Sequence, residues 1–221
     1  MDISWLTAKV SFMKIQSVVD LTRALVRIPS VNPDGDPGTE QTGEQACAEF
    51  VAGFLEQCGA KAELVEILPG RPNVLGRFPS NGKDKPRLLF APHTDTVGVG
   101  GMTIDPFSGE VRDGKVWGRG TADNKGPHLV AVVALARLLK RCPNLPLRIT
   151  FLIEGEEEIG SPSFPEFLHN HKAELSEADC VILSDTASPS SDQIVITTAL
   201  RGIVGLEVGL TGPKSDLHSG L

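Results

Sequence analysis

The chain has 221 residues, 40% of them hydrophobic, enough for one large domain or one domain and part of another. Its 21 Lys and Arg against 28 Asp and Glu leave a formal charge of −7, and no basic tract stands out, which argues against a nucleic-acid partner. No apolar run has signal-peptide or membrane-spanning length, so no membrane association is expected and a soluble, cytoplasmic protein is the default expectation.

Residues from about Ile15 to Arg27 read as a helix that Pro29 stops, because proline lacks the N–H and constrains the residue before it. After a polar, glycine-rich loop, Cys47, Phe50, Val51, Phe54, Leu55 and Cys58 recur at steps of three and one, the signature of an amphipathic helix, with Gly59 as its C-terminal stop. The runs AELVEIL, NVLGRF and RLLFAPH, bounded by LPGRPN and PSNGKDKP, suit strands. From Leu129 to Leu139 the chain is apolar nearly all round, with Pro127 in the first turn, which predicts a helix buried against a sheet. LRITFLI and ADCVILSD then read as strands buried on both faces. Strands alternating with helices give an α/β fold, a mainly parallel mixed sheet flanked by helices. Near Thr198 the texture changes, and RGIVGLEVGLTGP alternates like a half-buried strand. The four cysteines, Cys47, Cys58, Cys142 and Cys180, form no CxxC pair and read as reduced thiols.

Chemistry gathers where these strands end. His93 and Asp95 stand at i and i+2, on one side of an extended chain, and a metal-bound imidazole commonly passes its other ring N–H to a carboxylate. In GRGTADNKGP, Asp123 precedes the apolar helix, where Asp123 or Asn124 could equally serve as its cap. FLIEGEEEIGS places Glu154, Glu156, Glu157 and Glu158 behind one strand, and ILSD places Asp185 behind another. Ligands in open α/β sheets gather at the carboxyl ends of strands, so these groups converge on one edge. One imidazole with several carboxylates and no thiolate suits zinc, cobalt or manganese. Two such ions sharing a bridging carboxylate could activate a water and polarise a carbonyl, which makes amide hydrolysis the natural output. No GxSxG elbow, P-loop or GxGxxG element is present. His169 and His171, in LHNHK, read as histidines of a solvated helix.

Taken together, HTD, GRGTADNKG, EGEEEIGS and ILSD, in this order and spacing, resemble the co-catalytic zinc peptidase and deacylase family, which includes carnosine-type dipeptidases, glutamate carboxypeptidases, acetylornithine deacetylase and succinyl-diaminopimelate desuccinylase. DLHSG and EGEEEIGS look most like the dipeptidase branch. The resemblance implies two divalent metal ions, zinc with cobalt or manganese as alternatives. It makes His93, Asp123 and Asp185 ligands of the first, and Asp123, as the bridge, with Glu158 ligands of the second. It makes Glu157 the general base, Asp95 the partner that orients His93, and His218 a group that helps stabilise the oxyanion in the partner subunit of a homodimer. Glu154 and Glu156 receive no task and read as solvent-facing or hydrogen-bonded loop carboxylates.

The resemblance also divides the chain. Residues 1–198 match the N-terminal part of the catalytic domain, and residues 199–221 the start of an inserted α+β dimerisation (lid) domain. The family's last metal-binding histidine would lie beyond Leu221, so this chain by itself is expected to be a poor catalyst. The expected function is a metal-dependent hydrolase of a dipeptide or small peptide. An N-acyl amino acid deacylase is the alternative within the class, and a non-catalytic interaction protein that keeps the fold is the alternative outside it.

Overall fold

A computed structural model of the chain describes residues 17–80, 82, 84–212, 214 and 215. The chain divides into two units, Met1–Ala187 and Ser188–Leu221.

The first unit is built on a five-stranded sheet in the order β1-β2-β6-β3-β7, comprising β1 (Lys61–Glu66), β2 (Pro72–Arg77), β6 (Arg148–Ile153), β3 (Arg87–Phe90) and β7 (Cys180–Ile182). β3 runs parallel to both β6 and β7, whereas β2 is antiparallel to β1 and to β6. Four strands therefore point one way and β2 alone opposes them, a mainly parallel mixed sheet. A separate hairpin pairs β4 (Glu110–Arg112) with β5 (Lys115–Trp117). β4 lacks a run of apolar residues that could announce it in the sequence.

Side chains alternate across the sheet as the pleat requires. Ile149, Phe151 and Ile153 of β6 enter the core beneath the helices α1 (Val18–Val26), α2 (Glu44–Gln57) and α3 (Gly126–Arg141). Leu152 joins Leu75, Leu89 and Phe167 on the opposite face, under α4 (Phe164–Asn170) and α5 (Lys172–Leu175). Phe151 stacks on Phe90 at 4.7 Å between ring centroids and meets Phe78 edge-on. Such large side chains each contribute roughly 1.5–3 kcal/mol on burial.

The helices follow the sequence reading closely. Ser17 caps α1 by accepting the Val19 N–H, and positions 15 and 16 of the expected helix lie outside the described residues. α2 ends before Gly59, whose φ of +96° a residue with a Cβ adopts only under strain. It packs so close to β2 that a Cβ on Gly76 would stand 2.7 Å from Leu55 Cδ1. α3 begins at Gly126 with Pro127 in its first turn. It is less uniformly buried than its composition suggested, since Val130 and Leu138 are exposed while Leu129, Val132 and Val133 face the core.

Two strand readings change. β6 is buried on both faces, but β7 is an edge strand with Cys180 and Val181 exposed, because only β3 pairs with it among the described residues. In the second unit, residues 188–212 form neither helix nor strand, and Ile203, Val204, Leu206 and Val208 are exposed. The alternation there has no neighbouring strand among the described residues to take up its N–H and C=O groups, and an isolated strand cannot satisfy them.

Candidate metal centre

The carboxyl ends of β3, β6 and β7 lie side by side because these strands are parallel neighbours. Past its last residue β3 keeps its alignment with β6 through a bridge between His93 and Glu154, reinforced by Thr94 N–H donating to the Glu154 carbonyl at 2.9 Å. From the other side, the segment after α1 grips the same stretch: Thr96 N–H donates to Ser30 O, Asn32 N–H donates to Thr96 O, and Ser30 Oγ–H donates to Thr94 O. The HTD segment is thus held as extended chain, and His93 and Asp95 point the same way as the i, i+2 spacing requires.

Asp95 is fully buried and acts as the hub. Its Oδ1 lies 3.2 Å from His93 Nδ1 and accepts the Glu157 N–H, and its Oδ2 accepts the Glu158 N–H at 3.1 Å. One carboxylate therefore fixes the imidazole and also the turn Glu157–Ile159 that carries both glutamates. The sequence had assigned it only the first task.

With Nδ1 so engaged, His93 Nε2 faces three carboxylates: Asp123 Oδ1 at 2.9 Å, Asp185 Oδ2 at 3.6 Å and Glu157 Oε2 at 4.0 Å. Ligand atoms of His93, Glu157 and Asp185 lie within 4.8 Å of one another, as do those of His93, Asp123 and Glu158. His93 belongs to both groups. The residues picked out by sequence, His93, Asp123, Glu157, Glu158 and Asp185, stand around one point, with Asp95 behind them; His218 lies outside the described residues.

The donor set fits a divalent cation of borderline softness, since it joins an imidazole nitrogen to carboxylate oxygens. The electrostatics point the same way. Burial alone would pull the His93 imidazole down, yet the hydrogen bond and charge of Asp95, with Asp185 and Glu157, hold it at about 9. The acids around His93 therefore favour positive charge at this point. Burial raises Glu157 and Glu158, and the neighbouring Asp185 and Asp123 respectively add to the rise. Glu154 is pushed up to about 7 by burial and Asp95, and its buried Oε2 has no hydrogen-bond partner among the described residues. By contrast His128, inside α3, falls to about 3 through burial with His93 and Lys125 nearby, so it is a neutral core imidazole.

Two local readings are refined. Glu156 is not solvent-facing: it is buried, paired with Arg71 at 3.2 Å, and accepts both the N–H and the hydroxyl of Ser163. Neither Asp123 nor Asn124 caps α3, since Asp123 faces His93 and Asn124 Nδ2 donates to Ser184 O at 3.1 Å. Asn124 so ties the turn that carries Asp123 to the residue before Asp185. Sequence reasoning passed over Lys125 and Arg71. The available signal was a lysine at the mouth of a buried helix and a lone arginine in a turn, both unremarked in a polar context.

The model of peptidase family M20/M25/M40 matches residues 89–211, more than half of the chain. The chain belongs to this family. Among its M20 relatives, the Cys-Gly metallodipeptidase dug1 of Schizosaccharomyces pombe is 31% identical over 96% of this chain and 48% of its own length. The succinyl-diaminopimelate desuccinylase of Legionella pneumophila is 31% identical over 87% of this chain and 49% of its own. Human carnosine dipeptidase 1 superposes with a TM-score of 0.66 at 27% identity, over 83% of this chain and 40% of that one. The chain spans about half the length of the curated relatives it matches. The M20 family is metal-dependent, which agrees with the donor set around His93. No helix among the described residues is long and apolar enough to cross a membrane.

Proposed function

We propose that the chain carries the metal-binding half of a hydrolase that cleaves the amide bond of a dipeptide or small peptide. The observation that carries this reading is His93, with Nδ1 held by Asp95 and Nε2 turned to three carboxylates within 4.0 Å. His93, Asp123 and Asp185 would hold one divalent ion, and Asp123 and Glu158 a second, with zinc as the expected metal and cobalt or manganese as alternatives. Bound there, the ions supply Lewis acidity toward the amide carbonyl and toward water. Glu157 serves as general base: its side chain is 45% exposed, and its backbone N–H is pinned by Asp95, so its carboxylate is both placed and accessible. It takes a proton from the attacking water and returns it to the leaving amine. Asp95 holds the tautomer of His93 throughout.

The dipeptidase names among the relatives favour this substrate class. The desuccinylases, at similar identity, favour the second reading, an N-acyl amino acid deacylase. A homodimer in which His218 completes the oxyanion site, and the boundary between residues 1–198 and 199–221, rest on the resemblance of RGIVGLEVGLTGPKSDLHSG to the start of the family's dimerisation domain. A cytoplasmic location is supported by the four unpaired cysteines.

Two measurements test the reading. Zinc, cobalt or manganese loading of the purified chain should yield stoichiometric metal; less than about 0.2 equivalents would favour a non-catalytic scaffold. In a form of the protein that turns over peptide, Glu157→Ala should lower kcat roughly 10²–10⁴-fold with metal retained, whereas Glu158→Ala should lose metal. The opposite pattern would reverse the two roles.

A further inference from the structure

The Asp123 side chain is 64% exposed, and its one hydrogen-bond partner among the described residues is His93. No other hydrogen bond or ion pair among the described residues holds the carboxylate, so the backbone that presents it sets where it stands. That backbone, the turn Thr121–Lys125, is fastened two residues further on. Lys125 is fully buried, and its Nζ donates to Ile28 O at 2.7 Å and to Leu25 O at 3.3 Å.

The Leu25 carbonyl lies in the last turn of α1 and also accepts the Ile28 N–H at 3.1 Å, and the Ile28 carbonyl lies two residues past the helix; C=O groups at a helix end draw partners from outside it. Leu25 and Ile28 are themselves buried, so the lysine takes the place that water would have at an exposed helix end. The turn is wrapped tightly on the lysine stem. Lys125 N–H donates to Gly120 O at 2.9 Å, and a Cβ on Gly120 would stand 2.7 Å from Thr96 Cγ2 and 3.1 Å from Lys125 Cδ. Packing alone needs only the methylene stem, which a methionine would supply. A buried nitrogen is costly unless its N–H groups are used, and here they are used to join α1 to the turn. Two N–H groups suffice for two carbonyls, so the clasp does not depend on the charge of the amine.

We propose that Lys125 is a positioning residue for Asp123: by clasping the carbonyls of Leu25, in the last turn of α1, and of Ile28, just past it, it fixes the turn Thr121–Lys125, and through that turn the carboxylate facing His93. The inference rests on the metal-centre reading above.

The test is Lys125→Met in the whole chain, read by cobalt(II). Outer-shell partners of metal ligands commonly affect affinity 10–100-fold, so the variant should bind cobalt about 10–100-fold more weakly in chelator competition, with altered visible d–d bands and an unchanged far-UV spectrum. Leu135→Ala, a core truncation on the same helix α3, controls for loss of stability and should leave affinity and bands as in the wild type. A Lys125→Met protein that melts earlier but keeps wild-type affinity and bands overturns the proposal. If Lys125→Met does not fold, Lys125→Gln, neutral and shorter, decides on the same readouts: weaker binding supports the clasp and unchanged binding overturns it. A wild-type chain that binds no cobalt overturns both this inference and the metal centre, whereas wild-type binding with an indifferent variant overturns this inference alone.

Discussion

The two edges of the sheet carry similar numbers of charged groups and use them in opposite ways. At the amino edge of β3, β6 and β7, Glu174, Glu177 and Asp179 each have a guanidinium or a backbone N–H. Arg77 forks onto Glu174 at 2.7 and 2.8 Å and also meets Glu63; Arg87 and Arg148 pair with Glu177; and Asp179 accepts the Arg87 N–H. Glu174 and Glu177 are held below the usual carboxylate range by Arg77 and Arg148 respectively. At the carboxyl edge, Glu157, Glu158 and Glu154 are shifted upward, and Asp123, Asp185 and Glu157 all face the His93 imidazole and no guanidinium or ammonium group among the described residues. The first edge is electrostatically complete; the second is organised for a cation from outside. Arg71 shows that the fold could have completed the second edge as well, since it neutralises Glu156 within the same acidic run.

The largest expected effect separates two aspartates that both accept backbone N–H groups. Asp95 is buried and satisfies His93 Nδ1 and the N–H groups of Glu157 and Glu158. Asp95→Ala leaves these donors unpaired in the interior, at a cost of about 3–5 kcal/mol, and should weaken metal binding by more than about 100-fold. Asp179 is exposed, and Asp179→Ala should cost less than about 1 kcal/mol and leave metal binding unchanged. Urea unfolding with metal titration of both variants checks this; equal losses would erase the distinction between the edges.

Much of this contrast was legible in the sequence, for a physical reason. Parallel strands bring their carboxyl ends to one edge, so a histidine or an acid directly after each apolar run already predicts the meeting of His93, Glu157, Glu158 and Asp185. Periodicity likewise gave α2 and its stop at Gly59. What stayed hidden depends on long-range pairing that no local pattern encodes. Glu156 differs from Glu157 and Glu158 through Arg71, 85 residues away, and Lys125 acquires its role from carbonyls about 100 residues earlier. β7 reads as a buried strand because its apolar run reports composition and not the number of neighbours. The alternation after Thr198 fails to form a strand among the described residues for a related cause: period-2 patterning states which face would be buried but provides no partner.

A smaller effect, of opposite sign at the two edges, sharpens the comparison. Glu158→Gln removes an ionised group that burial and Asp123 disfavour, so the metal-free chain should melt slightly higher while binding metal less well. Glu174→Gln removes the acceptor that Arg77 grips and should melt slightly lower, with metal binding intact. Both groups are partly exposed and screened, so each shift should be only a few degrees, roughly. Differential scanning calorimetry on apo and metal-loaded protein resolves the signs, and shifts of the same sign would mean that the carboxyl edge is not held in repulsion.

The smallest effect is acid sensitivity at the amino edge. Glu174 titrates below its ordinary 4.5, chiefly because of the Arg77 hydrogen bonds. A folded-state value below the unfolded one means that the stabilisation is complete above the unfolded pKa and is lost as pH falls through the folded one, because the unfolded chain then binds the proton more readily. In Arg77→Met this contribution is absent at every pH. The stability difference between wild type and variant, from urea midpoints, should therefore be constant above about pH 5 and shrink below it. The guanidinium fork is the reason to expect a measurable term at all, since bidentate geometry resists the screening that cancels most surface pairs. A difference that stays flat down to about pH 3 would show that Arg77 stabilises this edge through packing of its stem over the sheet and not through its charge.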